Sequence, residues 1–341
     1  TSNGGQIMTN VKFTQALEAF AVGDAVGLPT EFMTREEIVR VYPVIDGLPN
    51  PELSRHHSDL PAGSVSDDTE QNLYLIDAFR EKGVSTEATV YALLKWIEES
   101  RAVEKRFIGP SSLKSLRAIQ NGGSPQKAGY GNTTCGAVMR VLSVSLCTPF
   151  GCWDQLATHI YLTTLPTHFS ESALEAAMSF GFALAAAAGK ASLEGVIAAF
   201  FGGAARAKAF GAPEYSIPST VSRVRFFIEH QDRFEDREQV ADYLSSVQGS
   251  GLYANEVAPA AFILFLTSPH DCWGNIRLAA SLGGDTDTIA ALAGALTALH
   301  NNGHNIPSPI VNQVLSVNRL QLEKYAKLIT GMRSCRSTYG V

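Results

Sequence analysis

No stretch of this chain is apolar for long enough to cross a bilayer; the longest, such as Phe180 to Ala188, fall well short of the roughly 20 residues a spanning helix needs. Thr1 to Ile7 lack the charged and apolar regions of a signal peptide, so no secretory leader is read there. Cysteine is sparse. Cys135, Cys147, Cys152, Cys272 and Cys335 are odd in number and form no CxxC pair, which argues against a disulfide framework or a structural zinc and suits a reducing, cytoplasmic setting. Positive charge is short as well: 27 Lys and Arg against 33 Asp and Glu leave a net charge of −6, which excludes a broad surface for nucleic acid or an anionic membrane. Sustained period-two alternation is missing, and so is any internal repeat. What remains is a chain of 341 residues, 45% hydrophobic and 18% charged, with enough apolar mass for a sizeable core. The expectation is a monomeric all-α protein, a compact orthogonal multi-helix bundle forming a single domain over residues 8–335. Residues 1–7, ahead of Met8, are expected to be a disordered segment or a foreign remnant.

Against that background one stretch stands out: Gly283, Gly284, Asp285, Thr286, Asp287, Thr288, followed by an apolar run from Ile289 to Leu296. Two glycines permit a tight turn, and the run after them reads as a buried helix, so both aspartates belong at a loop-to-helix junction. On a continuous helix residues two apart point about 200° from each other, but at an N-cap they can converge. Converging hard oxygens suit Mg²⁺ or Mn²⁺. The alternative is that acids in a first turn only cap the helix and complement its dipole. A second stretch has the same construction: Gly63, Ser64, Val65, Ser66, Asp67, Asp68, Thr69, leading into an apolar helix through Phe79. Four aspartates at two helix starts could hold two cations about 3.5–4 Å apart, with Ser66 and Thr288 adding neutral hydroxyls.

Taken in order, apolar spacing predicts helices over about 12–26, 34–42, 69–82, 86–99, 111–120, 153–164, Glu171 to Ala188, 191–206, 236–246, 254–266 and 272–281, with the third-to-last starting at the Asp285 motif. Glu31, after Pro29 and beside Phe32 and Met33, is a carboxylate in a constrained loop. Apolar neighbours can raise its pKa for proton transfer; an exposed loop glutamate is the plainer reading. The proline-rich segment from Pro43 to Ser66 is read as an ordered surface loop, with His56 and His57 in solvent. The loop Tyr130, Gly131, Asn132, Thr133, Thr134, Cys135, Gly136, running into a helix through Met139 and Arg140, offers backbone N–H groups to an anion such as phosphate. It lacks the lysine of a P-loop, and it could equally be a flexible connector capped at Thr133 or Thr134. His168, before an alanine-rich helix, and Tyr253, after Gly249 to Gly251, are further candidate ligand contacts.

With these residues assembled, the chain resembles the ADP-ribosylglycohydrolase family from about residue 13 to 300. The family's opening Gly-Asp-Ala-hydrophobic-Gly helix and downstream glutamate look like Gly23, Asp24, Ala25, Val26, Gly27 and Glu31. Its Thr-Asp-Asp-Thr motif looks like Ser66, Asp67, Asp68, Thr69, with serine in place of the usual threonine. Its Gly-Asp-x-Asp-Thr motif is Gly284 to Thr288, its glycine and asparagine loop leading to Met-Arg is similar to Gly131 through Arg140, and its Thr-His pair matches Thr167 and His168. The loop at 132–136 is arranged differently from some members. The resemblance implies a binuclear Mg²⁺ or Mn²⁺ centre at one end of the bundle, held by Ser66, Asp67, Asp68, Asp285, Asp287 and Thr288. It implies Glu31, with Asp68 as rival, as the catalytic carboxylate, and ADP-ribose held by Tyr130 to Gly136, Met139, His168 and Tyr253. The implied activity is removal of ADP-ribose from a modified protein, arginine first. An ADP-ribosylserine or O-acetyl-ADP-ribose hydrolase, and a non-catalytic ADP-ribose-binding or crystallin-like protein, are the alternatives.

Overall fold

The computed structural model describes residues 2–334, so Cys335, the expected end of the domain, lies outside the described residues. Eighteen helices follow one another: α1 (Ser2–Gly27), α2 (Arg35–Val41), α3 (Asp67–Lys82), α4 (Thr86–Ser100), α5 (Pro110–Gln120), α6 (Pro125–Ala128), α7 (Gly136–Met139), α8 (Val141–Cys147), α9 (Trp153–Thr164), α10 (Glu171–Ala188), α11 (Leu193–Ala207), α12 (Thr220–His230), α13 (Arg237–Tyr243), α14 (Ala254–Thr267), α15 (Cys272–Ala280), α16 (Thr286–His300), α17 (Ser308–Asn318) and α18 (Leu322–Ser334). The only β pairing among the described residues is two isolated bridges, Tyr130 with Phe169 and Thr134 with Tyr253. The all-α expectation is met. Residues 2–7, set apart in the sequence reading, lie in the helix α1, with 4–7 exposed.

The centre of the bundle is the pair α1 and α16, both almost wholly apolar on the faces they share. Their backbones touch because glycine removes the spacer: a Cβ on Gly23 would meet Ala290 O at 2.4 Å, and one on Gly27 would meet Asp287 Cα at 2.5 Å. Contact that close brings the end of α1 against the start of α16, where the acids lie. A second layer forms from α10, whose alanines and small residues are buried along its length and let α11 approach until Gly203 lies against Met178 O. Phe200 and Phe262 stack at 3.9 Å between α11 and α14. Pro259 inside α14 withholds the N–H that would serve Asn255 O, and Arg223 Nη1 serves that carbonyl instead at 3.3 Å. Cations close two other helix ends. Lys12 Nζ donates to Ala187 O and Ala188 O at 2.9 Å, and Arg333 Nη1 donates to Leu146 O and Thr148 O at 2.9 Å.

Two departures from the expected elements matter for the site. The helix expected to run on from Gly136 breaks at Arg140 into α7 and α8, because Asn72 Oδ1 takes Ser143 N at 3.0 Å and Asn72 Nδ2 reaches Met139 O at 2.9 Å. The Pro43–Ser66 segment is not wholly a surface loop: His57 is buried, with its ring 5.8 Å from Phe107.

Candidate functional site

Three chain segments meet at one end of the bundle. α3 begins at Ser66, whose hydroxyl accepts from Asp68 N at 3.2 Å, so Asp67 and Asp68 stand in its first turn. α16 begins after Gly283 and Gly284, at φ 86° and 78°, which turn the chain so that Asp285 and Asp287 enter from the other side. Between them comes the turn after α1, carrying Glu31. Two threonines knot that turn to α16 and α15: Thr286 Oγ1 donates to Gly27 O at 2.8 Å, and Thr30 Oγ1 donates to Ala280 O, at the end of α15, at 2.7 Å. Phe32 holds φ 62°, a strained value for an aromatic residue, between Gly284 O, which accepts its N–H at 2.8 Å, and Arg55 Nη1, which donates to its carbonyl at 2.9 Å. The strain is over-determined by its neighbours, and it fixes where Glu31 points.

Asp24 explains how α3 is aimed. Its carboxylate, fully buried in α1, accepts from Ser66 N at 2.9 Å, Ser66 Oγ at 2.7 Å, Thr69 N at 3.1 Å and Thr69 Oγ1 at 2.6 Å. Burial pushes it up to about 6 while those four bonds pull the other way. Asp24 is therefore a clamp with its lone pairs occupied. Ser66 is occupied as well, as helix cap and donor to Asp24, with Asp287 Oδ2 at 3.4 Å.

The other acids are served less fully: Asp285 accepts from Thr288 Oγ1 at 2.9 Å, but its neighbours have fewer donors than oxygens. Oxygens of Glu31, Asp285 and Asp287 lie within 4.8 Å of one another. Asp68 Oδ2 and Asp287 Oδ1 are sealed from water and have no hydrogen-bond partner. Burial, followed by the charge of Asp285, raises Glu31 well above the usual carboxylate range. Burial and Asp24 do the same for Asp67, burial and Asp67 for Asp68, and burial and Glu31 for Asp287. Anionic oxygens packed together without donors need either protons or cations. The donor set is all hard oxygen and fits Mg²⁺ or Mn²⁺; the one thiol nearby, Cys135, donates its proton to Asp285 Oδ2 at 3.0 Å, and burial holds it protonated.

All five acids and Thr288 open onto one cavity of about 230 Å³, whose far wall is Thr134, Cys135, Gly136, Met139 and His168. Gly136 is there for His168: a Cβ would meet the imidazole Cε1 at 2.2 Å. The ring bridges Thr134 Oγ1 and Thr167 Oγ1 at 2.9 Å each, and burial beside Arg140 keeps it neutral. The remaining candidates from the loop lie outside this lining. Asn132 Nδ2 clasps Thr167 O at 2.6 Å, Gly131 N donates to Phe169 O, Thr133 O accepts from Ala254 N, and Tyr130 and Tyr253 stand exposed nearby. No helix is capped by the side chain of Thr133 or Thr134.

Sequence reasoning missed four contributors. His57 Nε2 and Glu31 Oε2 share a hydrogen bond at 2.7 Å, and burial pushes the His57 pKa down to about 4, so its ring is neutral. Phe107 and Ile108, from the connection before α5, roof the cavity, and Leu252 flanks it. The signal for His57 was only an unusual His-His pair, and its partner lies 26 residues away.

The ADP-ribosylglycohydrolase family profile matches residues 8–337. An uncharacterized protein of Escherichia coli K12, YegU, is 29% identical over 337 residues, covering 96% of this chain and 99% of its own. The ADP-ribosylarginine hydrolase Tri1 of Serratia proteamaculans is 23% identical over 89% of this chain and 75% of its own length. A solved structure titled as an ADP-ribosylglycohydrolase-related protein complex superposes with a TM-score of 0.67 at 22% identity, covering 95% of this chain and 99% of that one, and so shares the fold.

Proposed function

Because the chain belongs to the ADP-ribosylglycohydrolase family, we propose that it is a metal-dependent hydrolase that releases ADP-ribose from modified protein side chains, with ADP-ribosylarginine as its first substrate. The observation that carries this reading is the pair of buried, unpartnered carboxylate oxygens on Asp68 and Asp287 facing a cavity whose opposite wall is the His168 and Gly136 loop. Arginine is favoured over serine by the likeness to a relative whose own name is ADP-ribosylarginine hydrolase. Asp67, Asp68, Asp285, Asp287 and Thr288 are the residues that would hold the ions. Two divalent cations bound there would supply Lewis acidity and a template for ribose hydroxyls.

The chain's own contribution is positioning and proton transfer. Breaking the bond from the anomeric carbon to the guanidine nitrogen gives an oxocarbenium-like transition state, and water adds to that carbon as its proton leaves. Glu31 is placed to take the proton: His57 fixes Oε2, Oε1 has no hydrogen bond from the described residues, and burial, then the charge of Asp285, makes the carboxylate basic. The proton then returns to the departing guanidine. Asp68 is the rival for this role. Phe107, Ile108 and Leu252 add apolar surface to the cavity lining. The deciding experiment measures ADP-ribose release from arginine-linked, serine-linked and O-acetyl substrates side by side, with Mg²⁺, Mn²⁺ or chelator. Release from the arginine substrate that survives chelation would overturn the metal; release from serine alone would reassign the acceptor.

A further inference from the structure

A second cavity, of about 270 Å³, opens between α2, α13 and α15 and shares no lining residue with the carboxylate cavity. Three arginines reach it, and the fold treats them differently. Arg35 is committed: Nε to Asp242 and Nη2 to Glu238, both at 2.7 Å, and Nη1 to Ser281 O at 3.0 Å. Arg237 donates Nη2 to Asn275 and stands 3.4 Å from Asp271, yet its Nε is sealed from water with no acceptor. Arg277 lies over the Trp273 ring at 5.5 Å, has no ion pair among the described residues, and its Nε is likewise sealed without an acceptor. Burial, and after it the charge of Arg277, lowers the pKa of Arg237 against the pull of Asp271. Gly274 permits the arrangement, since a Cβ there would meet Arg237 Nη1 at 2.8 Å.

Like charges gathered with unused planar donors are what an oxyanion relieves. The rest of the lining, Ile38, Val39 and Tyr42 on α2 and Leu278 beside Arg277, is largely apolar. Glu238 at the lining and Asp271 beside Arg237 disfavour a polyanion. We propose that this cavity binds a small organic monoanion, its carboxylate or phosphate bridging Arg237 and Arg277 and its apolar body against Val39 and Leu278. It is a site separate from the proposed catalytic one and does not depend on that assignment.

Calorimetric titration of the whole chain with benzoate and with phenyl phosphate tests this, beside Arg277→Met, Arg237→Met and, as a control in the other cavity, Glu31→Gln. Saturable binding of either probe is expected, weakened about tenfold or more in both arginine variants and unchanged in the control; the two probes tell carboxylate from phosphate. Melting curves establish that each variant is folded, and Arg237→Lys, which keeps charge but loses the fork, replaces Arg237→Met if that variant is not. Absence of saturable binding by both probes, unchanged affinity in either arginine variant, or an equal loss in Glu31→Gln overturns the proposal.

Discussion

Asp24 and Asp287 are both carboxylates sealed from water, yet the fold answers them in opposite ways. Four donors meet Asp24; Asp287 Oδ1 has none and faces the charges of Glu31, Asp68 and Asp285. Asp24→Ala strands buried donors on Ser66 and Thr69 and should cost about 3–5 kcal/mol, read as a lower denaturation midpoint. Asp287→Asn removes a repelling charge, so the metal-free protein should melt higher while losing the further rise that Mg²⁺ or Mn²⁺ gives the unaltered chain. A lower metal-free melting temperature would contradict the crowding. Glu31→Gln should lower kcat by about 10²–10⁴-fold. His57→Phe keeps the packing on Phe107 but deletes the hydrogen bond to Oε2, so kcat should fall about tenfold with KM nearly constant, and His57→Gln should recover part of it. A change in KM alone would place His57 against substrate instead. The sequence marked the acids at both helix starts, but it could not say that Asp24 serves Ser66, because the pair is separated by 42 residues and only the folded chain joins them.

At the scale of elements, helices came through in the sequence where apolar spacing was regular and a cap was present, as in α3, α4 and α10. α12 did not, although Ser219 caps it, since its buried stripe is only Thr220, Val224 and Phe227 among polar residues. The break at Arg140 was hidden too, being imposed by Asn72 on another helix. Loop burial was the largest blind spot: nothing in the Pro43–Ser66 segment announces that His57 turns inward. The crossing of α1 and α16 offers a direct test. Gly27→Ala drives a methyl into Asp287 Cα and should reduce both thermal stability and divalent-cation affinity, by calorimetry, while Gly202→Ala, with open space around it, should change neither. Equal behaviour of the two variants would mean that the close approach does not hold the acids in place.

Over the whole molecule one core runs from Phe13 on α1 to Ile329 on α18, and the cations at the ends of α8 and α10 lie at its margin. Burial, then the charges of Lys190 and Arg333, lowers Lys12 from 10.5 to about 8. Below that pH the folded and unfolded chains both hold the proton and this group adds no pH dependence. Between about pH 8 and pH 10 the unfolded chain still binds the proton that the fold has released, so stability should climb with pH there. Lys12→Met should lack that climb in melting curves across the window; parallel curves would show an unshifted lysine. The acids at the candidate centre come from the end of α1, the start of α3 and the start of α16, with Ser66 and Asp287 separated by 221 residues. No fragment and no early collapsed species can therefore possess the centre, because the long loop between those two residues must close first. Divalent cations should consequently act on the finished protein, leaving the refolding limb of a stopped-flow chevron where it was and lowering the unfolding limb, so that the ions extend the lifetime of the native state and do nothing to hasten its formation.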